Sequence, residues 1–375
     1  MDQANVLIIG GGVVGCAIAR AVSSRWQDVF LVEQFPKLGM ATSTRNSGVN
    51  HSGVYYPKNS LKARLCVEGN RLTYEFCAKH NVPFRHCGKL VVAADPNEEA
   101  ELVALKKRGE DNGVEGLRLI DAAEIRKREP HIKGVAALDV PSTGIVSAEE
   151  LVHAYARVAT NQGANIVTRA QVVSLESTSK TIRVGLKIGD EEDSQHEMIE
   201  AKCVINAAGL YADEVAAMLG NHSWRIYPVR GEYCEVRGPR ASFINNLVYP
   251  LPHADGISLG VHFTKTLWGT FLLGPTATYV EGKDNYEKNR LPISAFAESA
   301  KTLLPEIEER DLQLGYTGLR PKLVPAGHQG IVDFVITRDA NVPQAIHLVG
   351  MESPGLTAAP AIAEHVSEMV REVLA

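Results

Sequence analysis

The sequence predicts an α/β protein: a Rossmann-like domain carrying an inserted α+β domain built on an antiparallel sheet. Three observations carry this. An apolar run, a glycine turn and a run of small residues open the chain, as VLIIGGGVVGCAIARAV. Between Trp224 and Thr278 short alternating strands with Gly and Pro turns dominate. The chain then returns to α/β texture in QAIHLVGMESPGLTAAPAIAEHVSEMVREVLA.

The elements follow in order. NVLIIGGG followed by Val14–Val22 reads as strand, tight turn and helix, and DVFLVEQ (Asp28–Gln34) as a second buried strand. LKARLCVEGNRLTYEFCAKH (Leu61–His80) has helical spacing. KLVVAA and GVAALDV read as strands flanking a charged helical stretch around Glu98–Lys107. Ser147, with Glu150 three residues on, has the form of a capping box, and Gly163 is the expected helix stop. IVTRAQVVSLES and CVINAAGL are further strands. With α/β pieces at both ends and in the middle, the expected division is 1–80, 145–222 and 325–375 against 81–144 and 223–324.

The bulk numbers bound the function. The chain has 375 residues, 45% of them hydrophobic, and a net charge of −5. That length suits a large two-domain globule. The mild acidity argues against nucleic acid, whose footprint is a basic stripe. Six cysteines show no metal-ligand spacing and read as buried free thiols of a reducing compartment, with no metal expected. No run of 18 apolar residues exists, and Asp2 stands where a signal peptide needs positive charge, so a cytoplasmic protein is expected.

Gly10-Gly11-Gly12-Val13-Val14-Gly15 is a G-x-G-x-x-G in its required context, after a strand and opening a helix. One glycine (Gly10) makes the turn, the next (Gly12) lets backbone approach a pyrophosphate, and the third (Gly15) lets helix and strand pack closely. The helix start offers unpaired N–H groups to phosphate. Glu33 closes the second strand, where a carboxylate can take ribose hydroxyls. Only one such fingerprint occurs, and glycine-rich turns recur at Asn206–Asp213, around Ala208 and Gly209, and at Gly350–Ala363. An extended FAD threaded through the domain explains both better than a nicotinamide cofactor.

The sequence resembles the FAD-dependent oxidoreductases of the D-amino-acid oxidase, glycine oxidase and glycerol-3-phosphate dehydrogenase type, and within them most resembles the L-2-hydroxyglutarate dehydrogenases. VLIIGGGVVG, the AQV segment, NAAGLYAD and SPGLT carry the general likeness. RNSGVNHSGVYYPKNSLKARLCVEGN, CGKLVVA, PVRGEY, GVHFTKTLWGTFLLGPTA and GLRPKL carry the specific one. The chain departs from the pattern by being short between roughly 279 and 312, and by Trp268 where relatives tend to have aspartate. The resemblance implies an FAD-binding domain and a substrate domain in the division given above. It places Thr42, Ser43, Asn46, Ser47 and Gly48 along the pyrophosphate and ring edge, Val172 at the adenine, and Gly350, Ser353, Gly355, Leu356 and Thr357 at the far end of the ring.

It also implies oxidation of an L-2-hydroxy acid by hydride transfer to flavin N5, with electrons passed to a quinone or another acceptor and peripheral membrane contact for that step. Such a reaction needs a carboxylate grip, for which Arg320 in GLRPK is the choice over a surface ion-pairing role. It needs a base, for which His51 is preferred to His262, although either imidazole alone is more often structural. A second carboxylate would need Lys89, Arg230 or Lys322, which the sequence does not rank. An amine or amino-acid oxidase using oxygen, and a flavin-binding protein without turnover, are the competing readings.

Overall fold

In the computed structural model residues 2–190, 193–252 and 261–375 are described. The first strand, Asp2–Ile9, pairs in parallel with Val29–Glu33 on one side and with Ile199–Asn206 on the other. Asn165–Thr168 extends this parallel sheet beyond Val29–Glu33, and Ala345–Val349 beyond Gln195–Asn206. Ala170–Ser177, Ile182–Ile188 and Val335–Arg338 add antiparallel edges. Residues buried on both faces, such as Leu7, Ile8, Leu31 and Val204, give the continuous apolar runs that a covered parallel sheet requires.

The first helix, Val13–Ser23, packs on this sheet with Ala148–Asn161 and the closing helix, Gly355–Leu374. Small residues make that contact close: Ala17, Ala21, Ala358, Ala359 and Ala363 are buried in one cluster. The helix Leu61–His80 leans on the closing helix so tightly that a Cβ on Gly69 would lie 2.3 Å from Thr357 O. Ser147 caps its helix by accepting from Glu150 N, but half of the expected box is absent: Ser147 N donates to Pro83 O instead.

The second sheet, nine strands among the described residues, comes from 89–140 and 227–322. Its spine is the ten-residue strand Tyr227–Val236 paired antiparallel with Leu312–Lys322. One pair departs from the expected antiparallel pattern, Leu247–Pro250 running parallel to Lys89–Val92. His253, within the stretch expected to be antiparallel, lies outside the described residues. Trp268 sits at the Thr266–Thr270 turn of a hairpin, 77% exposed.

Candidate active site

The glycine turn is fixed by close backbone approaches. Gly10 has φ +108°, and a Cβ there would lie 2.5 Å from Ala207 O. A Cβ on Gly15 would lie 1.9 Å from Gly10 O, so this glycine permits the helix to sit against the turn. Gly15 does not itself line the cavity described below. Gly15→Ala is expected to lower folding stability by about 3 kcal/mol through overpacking, read as a shifted urea midpoint.

Gly10 and Gly12 open onto one cavity that runs past Glu33, Val172, Ala208 and Gly209. Val13 N, at the start of the first helix, donates to Ser43 Oγ at 2.9 Å. Glu33 accepts from Gly11 N at 2.6 Å and from Phe35 N at 2.9 Å, which fixes the carboxylate on the cavity wall. Burial pushes its pKa up despite those backbone donors. Each of its oxygens keeps acceptor capacity for a hydroxyl.

The same cavity continues along Thr42, Ser43, Asn46 and Ser47 to Gly350, Ser353, Gly355 and Leu356. The loop 42–56 holds its shape through protein contacts. Thr42 Oγ1 donates to Leu319 O (2.8 Å), Asn46 Nδ2 to Ser43 O (2.7 Å) and Tyr316 OH to Asn46 O (2.8 Å). Two positions expected to touch the cofactor serve this loop instead. Gly48, at φ +66°, makes room for Val146 O, which a Cβ would approach to 2.5 Å, and Thr357 Oγ1 accepts from His51 N at 2.8 Å. Neither lines the cavity.

At this end His51, His262, Arg320 and Lys322 share the cavity wall. His51 is bracketed by Thr357 at its amide and by Asn70 Nδ2, 3.0 Å from its carbonyl. Its Nδ1 is buried with no hydrogen-bond partner among the described residues. Burial, then the nearby Lys89, lowers its pKa to about 3, so the imidazole is neutral. His262, expected on a strand, immediately precedes the strand Phe263–Lys265; its ring stacks on Tyr249 with centroids 3.6 Å apart.

Arg320 Nη1 donates to Thr276 O at 3.0 Å, and among the described residues no carboxylate lies within 4 Å of the guanidinium. Gly231 faces it: a Cβ there would come within 3.2 Å of Nη2. Arg230 behaves oppositely. It is 1% exposed and off the cavity, with its guanidinium bonded to Glu232 Oε1 (3.0 Å), Asn289 O (2.8 Å) and Lys288 O. With those donors committed, Arg230 is corrected from substrate donor to buried scaffold. Lys89 is also corrected: it lies behind the wall, screened by the Tyr55 and Tyr249 rings.

Sequence reasoning missed several wall residues. Tyr55, Tyr56, Tyr233 and Tyr249 are all buried and line the cavity. Lys62 Nζ donates to Glu352 Oε1 at 3.0 Å, and both side chains face the same space. Burial works against the Glu352 carboxylate, but the charges of Lys62, Lys322 and Arg320 outweigh it and hold its pKa below the usual range. This group therefore adds stability above the unfolded carboxylate pKa and loses it as pH falls through the depressed folded value. Lys62→Met is expected to cost roughly 3 kcal/mol by stripping a buried carboxylate of its partner, read in thermal unfolding. Glu352 lies inside the glycine-rich GMESPGLT stretch, whose one acidic residue was the signal available.

A glycine cradle at a helix start, a carboxylate at the end of the second strand and distant turns meeting on one elongated cavity fit an extended dinucleotide. The comparisons agree. Residues 5–369 match the family described as DAO, FAD dependent oxidoreductase. The mitochondrial L-2-hydroxyglutarate dehydrogenase of Arabidopsis thaliana is 33% identical, covering 98% of this chain and 83% of that protein. The L-2-hydroxyglutarate dehydrogenase of Indibacter alkaliphilus is 32% identical, covering 97% and 98%. The dithionite-reduced L-α-glycerophosphate oxidase of Mycoplasma pneumoniae, with FAD bound, superposes with a TM-score of 0.88 at 29% identity, covering 99% of this chain and 95% of that one.

Proposed function

Since the chain belongs to the DAO family of FAD-dependent oxidoreductases, we propose that its cavity oxidises an L-2-hydroxy acid, L-2-hydroxyglutarate to 2-oxoglutarate. The observation that carries this reading is Arg320. It is a guanidinium on the cavity wall with no carboxylate of the described residues within 4 Å, on the same wall as a neutral imidazole. A guanidinium fork whose only hydrogen bond among the described residues is to a carbonyl keeps donors that suit a ligand carboxylate held bidentately. FAD, when bound, supplies the acceptor for two electrons and the Cα hydrogen. Everything else falls to the chain's own groups.

Arg320 orients the C1 carboxylate, and His51 accepts the hydroxyl proton as the alcohol becomes a carbonyl. His262 contacts substrate from the Tyr249 side. Lys322, on the same wall as Arg320, is the choice for the distal carboxylate, since Arg230 is committed to Glu232. Gly10, Gly12, Glu33, Ser43, Asn46, Val172 and the Gly350–Leu356 turn hold the cofactor. The single dinucleotide fingerprint supports a quinone or another carrier as electron acceptor. Among the described residues no helix is long and apolar enough to cross a membrane, so contact with a quinone pool would be peripheral.

A second reading, oxidation of L-α-glycerophosphate, draws on the likeness to the Mycoplasma enzyme, with Arg320 and Lys322 then holding phosphate. Product analysis separates the two. Turnover of L-2-hydroxyglutarate with an artificial dye acceptor should give 2-oxoglutarate in equal amount to dye reduced. Dye reduction only by glycerophosphate, or release of ammonia from glycine or D-amino acids or of methylamine from sarcosine, would replace the proposal.

A further inference from the structure

Lys89 is 2% exposed, and its Nζ meets no hydrogen-bond acceptor among the described residues. It sits 4.4 Å from the centroid of the Tyr55 ring and 4.7 Å from that of Tyr249. Both tyrosines also line the cavity, Tyr249 stacked on His262. A buried ammonium without an anion is costly, and two π faces offset only part of that cost. Its strand neighbours Leu247 and Val140 are apolar and supply no counter-charge. The titratable groups that face it are Tyr55 and Tyr249 on either side, with His51 and Cys66 interacting through charge. None of these is an anion at neutral pH, because burial raises the two phenols and the thiol and His51 is neutral. The counter-charge that this site lacks is what an acid in the cavity would bring.

Resting on the acid-oxidising reading above, we infer that Lys89 is a positioning residue that acts through the Tyr55–Tyr249 screen. Its ammonium favours an anionic ligand at the imidazole end of the cavity, and ligand binding draws a proton onto Nζ. Two consequences follow from the same charge. It opposes protonation of His51, keeping that imidazole able to accept a proton, and it makes acid affinity fall as pH rises. Burial lowers the Lys89 pKa to about 7, against an opposing pull from Cys66, so the group is part-protonated where the effect is read.

The test uses the FAD-loaded protein and glutarate, a dicarboxylate with no hydroxyl to oxidise, titrated by its perturbation of the flavin spectrum. Glutarate binding near pH 7 should take up about half a proton per site, measured with an indicator dye in weak buffer. Its dissociation constant should rise about sixfold between pH 6.5 and 8.5 for a one-unit shift on Nζ. In Lys89→Met the uptake should vanish and the affinity become flat over that range, at the weaker high-pH value. Uptake that persists in Lys89→Met, or a pH-independent affinity in the parent protein, overturns the inference. The parent measurement needs no variant and stands even if Lys89→Met fails to fold. If glutarate does not bind the parent protein at all, and L-2-hydroxyglutarate does not bleach its flavin, the acid-oxidising reading fails and takes this inference with it. Bleaching with no uptake sinks the inference alone.

Discussion

Replacing Arg320 with methionine is expected to lower kcat/KM for L-2-hydroxyglutarate by about three orders of magnitude, the cost of leaving a desolvated carboxylate without its partner. Most of the loss should appear in KM and in glutarate affinity, because the grip is made in the bound state as well as during reaction. Arg320→Lys should recover only part of it. An ammonium cannot reproduce the two parallel N–H bonds of the fork, and the space facing Gly231 is shaped around Nη2. The flavin spectrum and thermal unfolding should remain near the parent values, since among the described residues the guanidinium's hydrogen bond is the one to Thr276 O. An unchanged KM in Arg320→Met would remove the carboxylate grip from the account.

The second large effect is expected at His51. His51→Asn keeps a planar polar side chain and leaves the backbone brackets from Thr357 and Asn70 in place, so the loop should hold. Removing the base should slow anaerobic flavin reduction by about 10²–10⁴-fold with little change in glutarate affinity. His262→Asn should weaken glutarate binding and slow reduction far less. The pH dependence has a definite sign. A base works in its neutral form, and His51 gains its disabling proton only as pH falls through about 3. The parent kcat/KM should therefore show no acid limb between about pH 5 and 6.5, and should decline on the alkaline side as the Lys89 charge is lost near 7.

The fold was legible because its signals are local. The glycine spacing, the apolar strand before it and the small residues after it act within fifteen positions, and they set the parallel sheet and the first helix. Glu33 was legible for the same reason, since a strand end next to the turn must bring its side chain to the Gly11 amide. The chemistry end was legible only in part. Arg230 and Arg320 look alike in isolation, yet Arg230 pairs with Leu319 and Arg320 with Val229, so the two side chains leave opposite faces of the sheet. Arg230 shares a strand face with Glu232 two residues on, and that alternation was a readable sign that the pair would satisfy each other.

Lys89 could not be placed from the sequence. The rings that enclose it come from Tyr55 and Tyr249, far off in the chain on either side, and nothing local marks the lysine as buried. Thr357 was expected at the far end of the flavin, but its hydroxyl turns to the His51 amide rather than to the cavity. Trp268, set apart by its departure from the resembled pattern, is an exposed hairpin residue and does not line the cavity.

The most direct measurement is anaerobic mixing of the purified FAD-loaded protein with single substrates in a stopped-flow spectrometer. Complete bleaching of the flavin by L-2-hydroxyglutarate, with the D enantiomer, glycine, sarcosine and L-α-glycerophosphate inert on the same time scale, is the result expected here. A flavin left oxidised by L-2-hydroxyglutarate but reduced by an amine or by glycerophosphate would contradict it.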